Sequence, residues 1–201
     1  ALGGLVFHPV EEATITIGTT KGGWVYAGQR PCYEAKTPAF YTMAAPLTKH
    51  DVLQVMGGPQ EENTEGPMEA LTSLDLKELS QALMDSDLFS KATDGLPGTW
   101  EVRTLTHAEW LVAREQNKIN LNTGWTERLA DAPSSNHRGA MMDGRPRPSE
   151  LLGPAASQMA AIAVHPRNPQ VTAITSVPHD RPLPKVVARL ALTPLRTNAP
   201  K

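Results

Sequence analysis

Cysteine is nearly absent from this sequence: Cys32 is the only one in 201 residues. That excludes an internal disulfide, a multi-cysteine zinc site and any mechanism that needs two thiols in one chain. A lone thiol is compatible with a reducing compartment but assigns no location. Aromatic residues are scarce as well, at 5%, so core packing must rest on Leu, Val, Ile, Met and Ala. No apolar run approaches the ~20 residues needed to span a bilayer. The opening ALGGLVFHPVEE lacks the basic start and long apolar run of a secretory leader. Neither sign of charge dominates. The formal net charge is -2 and the Lys and Arg residues are scattered, which argues against nucleic acid and anionic membranes as partners.

Proline is what the sequence has in excess. There are 18 prolines among the 201 residues, roughly twice the usual share. Many lie between Pro133 and Pro184, where long helices are excluded because each proline fixes φ and removes a donor.

Before that region the chain is more regular. ATITIGT (13–19) alternates Thr and Ile with the period of a half-buried strand. Gly22-Gly23 predicts a turn into a short strand at 24–27, and residues 37–46 read as a further extended segment closed by Pro46. Three helix starts follow. Thr48 with Asp51, Thr72 with Asp75, and Thr106 with Glu109 each have the spacing at which two residues satisfy each other's backbone N–H. Gly57-Gly58 stops the first helix. Later, QMAAIAVHP and QVTAITSVP each suit one strand, and KVVARLALTP (185–194) reads as the clearest late strand. Strands, then helices, then strands without βαβ alternation predict an α+β fold. We find no internal repeat and no boundary, so residues 1–201 read as a single domain with a loop-rich region over 132–184.

Chemistry-bearing clusters are few. The six histidines, His8, His50, His107, His137, His165 and His179, lack metal-ligand spacing, so no metal or cofactor is expected. Ser134, Ser135 and His137 sit in a loop without the nucleophile elbow G-x-S-x-G and read as turn residues. The acidic stretch GGPQEENTEGP (57–67) reads as solvated surface.

The order of motifs resembles the formylglycine-generating enzyme, or sulfatase-modifying factor, family. TITIGT, then QRPCYEAKTPAFYTMAAPLTKHDVLQVM, then LTSLDLKELSQAL, then RTLTHAEWLVARE follow that family's sequence of elements. In its hallmark R-L-P-T-E-A-E-W-E-x-A-A-R, Arg103, Thr106, Ala108, Glu109, Trp110 and Ala113 take the same residues. Thr104, Leu105 and His107 replace its Leu, Pro and Glu. Further on the likeness thins to GWT (124–126), HRGAM (137–141) and VVARLAL (186–192).

The resemblance implies a C-type-lectin-like fold, with short helices, twisted antiparallel strands and long Pro-rich loops. It also implies that Thr106, Glu109 and Trp110 cap a helix and wedge it into the core. The family's oxidases use two cysteines in the C-terminal third, where this sequence has none, and Cys32 matches no catalytic position. Its sulfoxide synthases carry an added helical domain with a histidine triad, for which 201 residues leave no room. The resemblance therefore implies no enzyme and no catalytic residues. Its calcium-type site draws on an Asn and a Glu. Asn120, Asn122 and Glu127 lie nearby but out of register, so calcium stays open.

The expected function is a noncatalytic structural or binding subunit of a larger protein assembly. A stand-alone ligand- or receptor-binding module is the alternative, and an enzyme of unfamiliar chemistry on the same fold is another. Partners are expected to be other protein chains. The weakly regular stretch 133–160 is expected to leave apolar side chains that its own domain does not cover. Met141, Met142, Leu151, Leu152 and Met159, with Arg145 and Arg147, are the candidate docking residues.

Overall fold

The computed structural model describes residues 2–22, 29–59, 66–69, 71–134, 137, 138, 140–148 and 158–195. The strand expected at 24–27, together with Ser135, Leu151 and Leu152, lies outside them.

The chain opens with β1 (His8–Val10), β2 (Ala13–Ile17), β3 (Tyr33–Thr37) and β4 (Phe40–Thr42). Helices α1 (Lys49–Met56), α2 (Ser73–Met84) and α3 (Asp87–Thr93) follow, then β5 (Trp100–Thr104) and α4 (His107–Glu115). The remainder is β6 (Thr126–Arg128), β7 (Gln158–Val164), β8 (Thr172–Pro178), β9 (Val186–Val187) and β10 (Leu190–Pro194). The fold is α+β. None of these helices is long and apolar enough to cross a membrane.

Local chemistry explains the helices. In all three expected capping boxes the Thr hydroxyl accepts from the backbone N–H three residues on, and that residue's carboxylate accepts from the Thr N–H. Gly57, at φ 73, then takes the left-handed turn that ends α1, its N–H returning to the Leu53 carbonyl. Helix α3 is a seven-residue addition that the sequence pattern does not announce; Ser86 caps it by accepting from the Phe89 N–H.

Strands β2 and β3 pair antiparallel, with Ile15 opposite Ala35. The alternation turns Ile15, Ile17, Ala35 and Thr37 inward and leaves Thr14 and Thr16 exposed. Two four-stranded sheets complete the fold, in the orders β1-β4-β10-β5 and β8-β7-β6-β9. Every pair is antiparallel except β6 with β9.

The late strand expected over 185–194 is two strands, and this corrects the sequence reading. Val186 and Val187 pair with β6, whereas Leu190–Pro194 pairs with β4 and β5. The chain leaves one sheet and enters the other across Ala188-Arg189. The reason is Arg189, whose buried guanidinium has to meet partners from three other segments (below).

Among the described residues two large apolar cores form, beside a small cluster of Ala161, Val177 and Val186. One gathers Ile15, Ile17, Trp110, Leu129 and Ile162, and the other Leu76, Leu79, Leu83, Val102 and Leu190. Each fully buried aliphatic side chain contributes roughly 1.5–3 kcal/mol of transfer free energy.

Candidate functional site

The start of α4 is the anchor from which the site is built. The Glu109 carboxylate accepts from the Thr106 N–H at 2.8 Å and takes a two-pronged bond from Arg103, at 2.8 and 2.9 Å. Burial opposes the Arg103 charge, but Glu109 and then Glu101 more than offset that, so its pKa is raised. Asp131 accepts from the His107 N–H at 2.7 Å through one oxygen and from the Arg147 N–H at 2.7 Å through the other. Two carboxylates thus sit where the helix dipole favours negative charge.

Farther along α4, Trp110 is fully buried and its indole N–H donates to Glu127 at 3.0 Å. Glu127 also receives Arg189 through both oxygens, at 2.6 and 2.9 Å. Arg189 continues to the carbonyls of Ala44, at 2.6 Å, and Asn120, at 3.1 Å. Both Glu127 oxygens are thus engaged by Arg189, and one by Trp110 as well. The adjoining void, bordered by Asn122, Trp125 and Glu127, measures about 10 Å³. Among the described residues, no three His, Cys, Asp or Glu side chains are placed to hold a metal ion.

A cleft of about 600 Å³ opens beside the start of α4. Its walls are β2 with β3 (Thr16, Tyr33), the start of α4 (His107, Leu111), the 131–147 loop and the outer sheet strands (Ala160, Ile174). Burial shifts four of its titratable groups toward their uncharged forms. Burial, then the nearby charges of His137 and Arg114, lowers the His107 pKa to about 4. Burial lowers His137 as well. Burial, then Asp131, raises Tyr33 to about 12. Burial also raises Asp131, against the opposing pull of its two backbone N–H bonds.

His137 meets the start of β3: its Nδ1 lies 3.2 Å from the Pro31 carbonyl, its backbone N–H donates to the Arg30 carbonyl, and its ring meets Tyr33 edge-on at 5.4 Å. It staples the loop to the β2–β3 unit. Gly18 permits this approach: a Cβ there would lie 2.6 Å from the imidazole, and its φ of +97° suits glycine alone.

Five of the seven candidate docking residues are among the described residues. Met141, Arg145 and Arg147 line the cleft. Met142 is 62% exposed, while its carbonyl accepts from the Lys36 N–H at 2.7 Å. Arg145 pairs with Asp143 at 2.7 Å, and the Arg147 guanidinium meets the Arg138 carbonyl. Met159 lies in β7 and packs against a separate small cluster of Ala161, Val177 and Val186. Its sulfur accepts from Ser73 at 2.7 Å and from Arg128 at 3.4 Å. Leu151 and Leu152 are outside the described residues.

In the described parts of 133–160 the backbone bonds to β3, to the α4 cap and to Asp131, while the Met142 side chain stays exposed. The sequence reading passed over Asp131 and Tyr33. A lone Asp in LADAPSS and a Tyr beside Cys32 carry no spacing signal.

No protein-family model matches this chain, and no curated protein matches it. Solved structures do. The structure of PvdO from Pseudomonas aeruginosa superposes with a TM-score of 0.65 at 13% identity, covering 93% of this chain and 94% of that one. Treponema denticola variable protein 1 gives 0.61 at 13% identity, with 94% and 95% covered. At this identity the likeness concerns the fold alone: the α+β architecture is one that known structures share over nearly their whole length.

Proposed function

We propose that this chain is a noncatalytic binding subunit of a larger protein assembly, built on a C-type-lectin-like scaffold of the formylglycine-generating-enzyme type. The cleft beside the start of α4 receives the partner. The motif order over 13–115 supports the scaffold type, as does the likeness in fold. One observation supports the noncatalytic reading: burial moves His107 and Tyr33 away from the pKa range useful at neutral pH, and Asp131 is occupied in fixing backbone. A general base needs a pKa near the working pH, whereas His107 is depressed to about 4 and Tyr33 raised to about 12. Asp131 spends both oxygens on backbone N–H groups.

The size of the cleft favours a second reading. About 600 Å³ falls within the range of small-ligand sites, which fits a stand-alone ligand-binding module.

The test fills the cleft without touching the core. Thr16 is exposed and lines it, so Thr16→Trp should leave folding intact. Tagged wild type and variant are isolated from the native source and their bound proteins quantified. Loss of the same stoichiometric protein partner in Thr16→Trp supports the assembly reading. Loss of a bound small molecule instead supports the second. Equal recovery of every bound species by both would overturn the cleft as the binding site.

A further inference from the structure

The margins of the two four-stranded sheets are β1, β5, β8 and β9. Three are guarded. Strand β1 has three residues including Pro9, β9 has two, and β5 carries Glu101 and Arg103. Charge, proline and shortness are the devices that keep sheet edges from pairing with other chains. Strand β8 has none of them. It runs for seven residues, TAITSVP, uncharged throughout and with proline only at its end, and Ala173 to Ser176 are exposed.

Alternation decides which backbone groups face outward. In β7, Ala160 and Val164 turn their N–H and C=O away from β8: Ala160 bonds to Asp131 and Leu129, and Val164 to Trp125 and Gly124. The main-chain groups of Met159, Ala161 and Ala163 therefore face β8, where their register partners are Val177, Thr175 and Ala173. Thr172, Ile174 and Ser176 are left with N–H and C=O directed outward, and no described residue bonds to them. The pairing stretch has defined ends. Pro178 has no N–H and its carbonyl accepts from Arg128 at 2.6 Å, while the Val171 N–H is closed onto Asn168.

We propose that this edge pairs antiparallel with the same edge of a second copy of the chain, about a two-fold axis at Ile174. The occupant is argued from self-complementarity. With Ile174 opposite its own copy, Thr172 faces Ser176 of the other chain, and each of these pairs exchanges both main-chain hydrogen bonds. Thr opposite Ser and Ile opposite Ile are favourable cross-strand pairs, and no like charges meet. His165, Arg167, His179, Asp180 and Arg181 fall beyond the paired stretch. Ile174, 40% exposed in the single chain, gains cover. The two outer sheets join into one continuous sheet. Ile174 also lines the cleft, but the two readings are tested separately, since Thr16→Trp does not alter β8 and main-chain protection at Thr172, Ile174 and Ser176 reports the edge alone.

Sedimentation equilibrium over a concentration series up to the millimolar range, with amide exchange on the same samples, tests it. The mass should rise from one copy to two. Amides of Thr172, Ile174 and Ser176 should gain protection with concentration, whereas Ala173, Thr175 and Val177 stay protected throughout. Ile174→Lys places two like charges on the axis and should weaken association by roughly tenfold. Unchanged exchange at Ala173 and Thr175 would report that the variant's strand is intact. A monomer at every concentration, or a dimer indifferent to Ile174→Lys and without protection at Thr172, Ile174 and Ser176, would overturn the proposal.

Discussion

Glu127 and Arg189, 62 residues apart, form a two-pronged ion pair at 2.6 and 2.9 Å in which neither side chain is more than 6% exposed. The pair joins the two sheets. Glu127 lies on β6, and Arg189 lies at the crossing from β9 to β10, where the same chain pairs first with one sheet and then with the other. Trp110 adds its indole N–H to the carboxylate and so ties α4 to this junction.

Breaking that pair from one side should be costly. Arg189→Met leaves the Glu127 carboxylate buried with only the Trp110 N–H, and it abandons the Ala44 and Asn120 carbonyls. A loss of about 3–5 kcal/mol in denaturant unfolding is expected. The double variant Glu127→Leu, Arg189→Met should be less destabilised than the two single losses summed. Additive losses would show that the pair is not an energetic unit.

Thr106 and Trp110 hold α4 in place, and two substitutions should separate their contributions. Thr106→Ala removes the cap and should cost about 1 kcal/mol. Trp110→Ala opens a cavity and orphans part of the Glu127 network, at roughly 3–5 kcal/mol. Both should affect partner binding only as far as they unfold the domain, as judged by thermal melts beside a binding assay. A fully folded Trp110 variant that no longer binds would point to a direct role in recognition.

Local rules made much of the fold legible. Thr48, Thr72 and Thr106 each announced a helix, because capping depends on residues three apart. The Thr-Ile alternation announced β2, and apolar stretches bounded by proline announced β7 and β8. The break inside 185–194 was hidden because its cause is non-local: VVARLAL looks like one strand until Glu127 is known to lie against Arg189. Short β3 and β6 were hidden because three to five residues hold too little periodicity. The cleft was hidden for the same non-local reason. Tyr33, His107, Asp131 and Ile174 are far apart in sequence and share no spacing. The backbone partners of the described parts of 133–160 were hidden as well, because Lys36, Thr106 and Asp131 lie elsewhere in the sequence.

The last expectation concerns acid. His107 begins α4, and burial, then His137 and Arg114, lowers its pKa from 6.5 to about 4. The unfolded chain protonates this residue at an ordinary pH, while the folded chain resists. Between pH 6.5 and about 4 the unfolded state therefore binds more protons, so folding stability falls as pH falls through that window. For one residue with His107's partial exposure the loss is on the order of 2–3 kcal/mol. His137, also lowered by burial, acts in the same direction. Asp131 acts in the opposite one: its raised pKa lets the folded state take up a proton first as the solution turns acid. A melt of the wild type alone would mix the three. His107→Gln removes one of them and keeps the backbone N–H that Asp131 accepts. Its stability should depend less steeply on pH than the wild type's between pH 6.5 and about 4, with the two profiles running parallel above that window. Equal slopes throughout would mean that the imidazole is hydrated and titrates as it does in the unfolded chain.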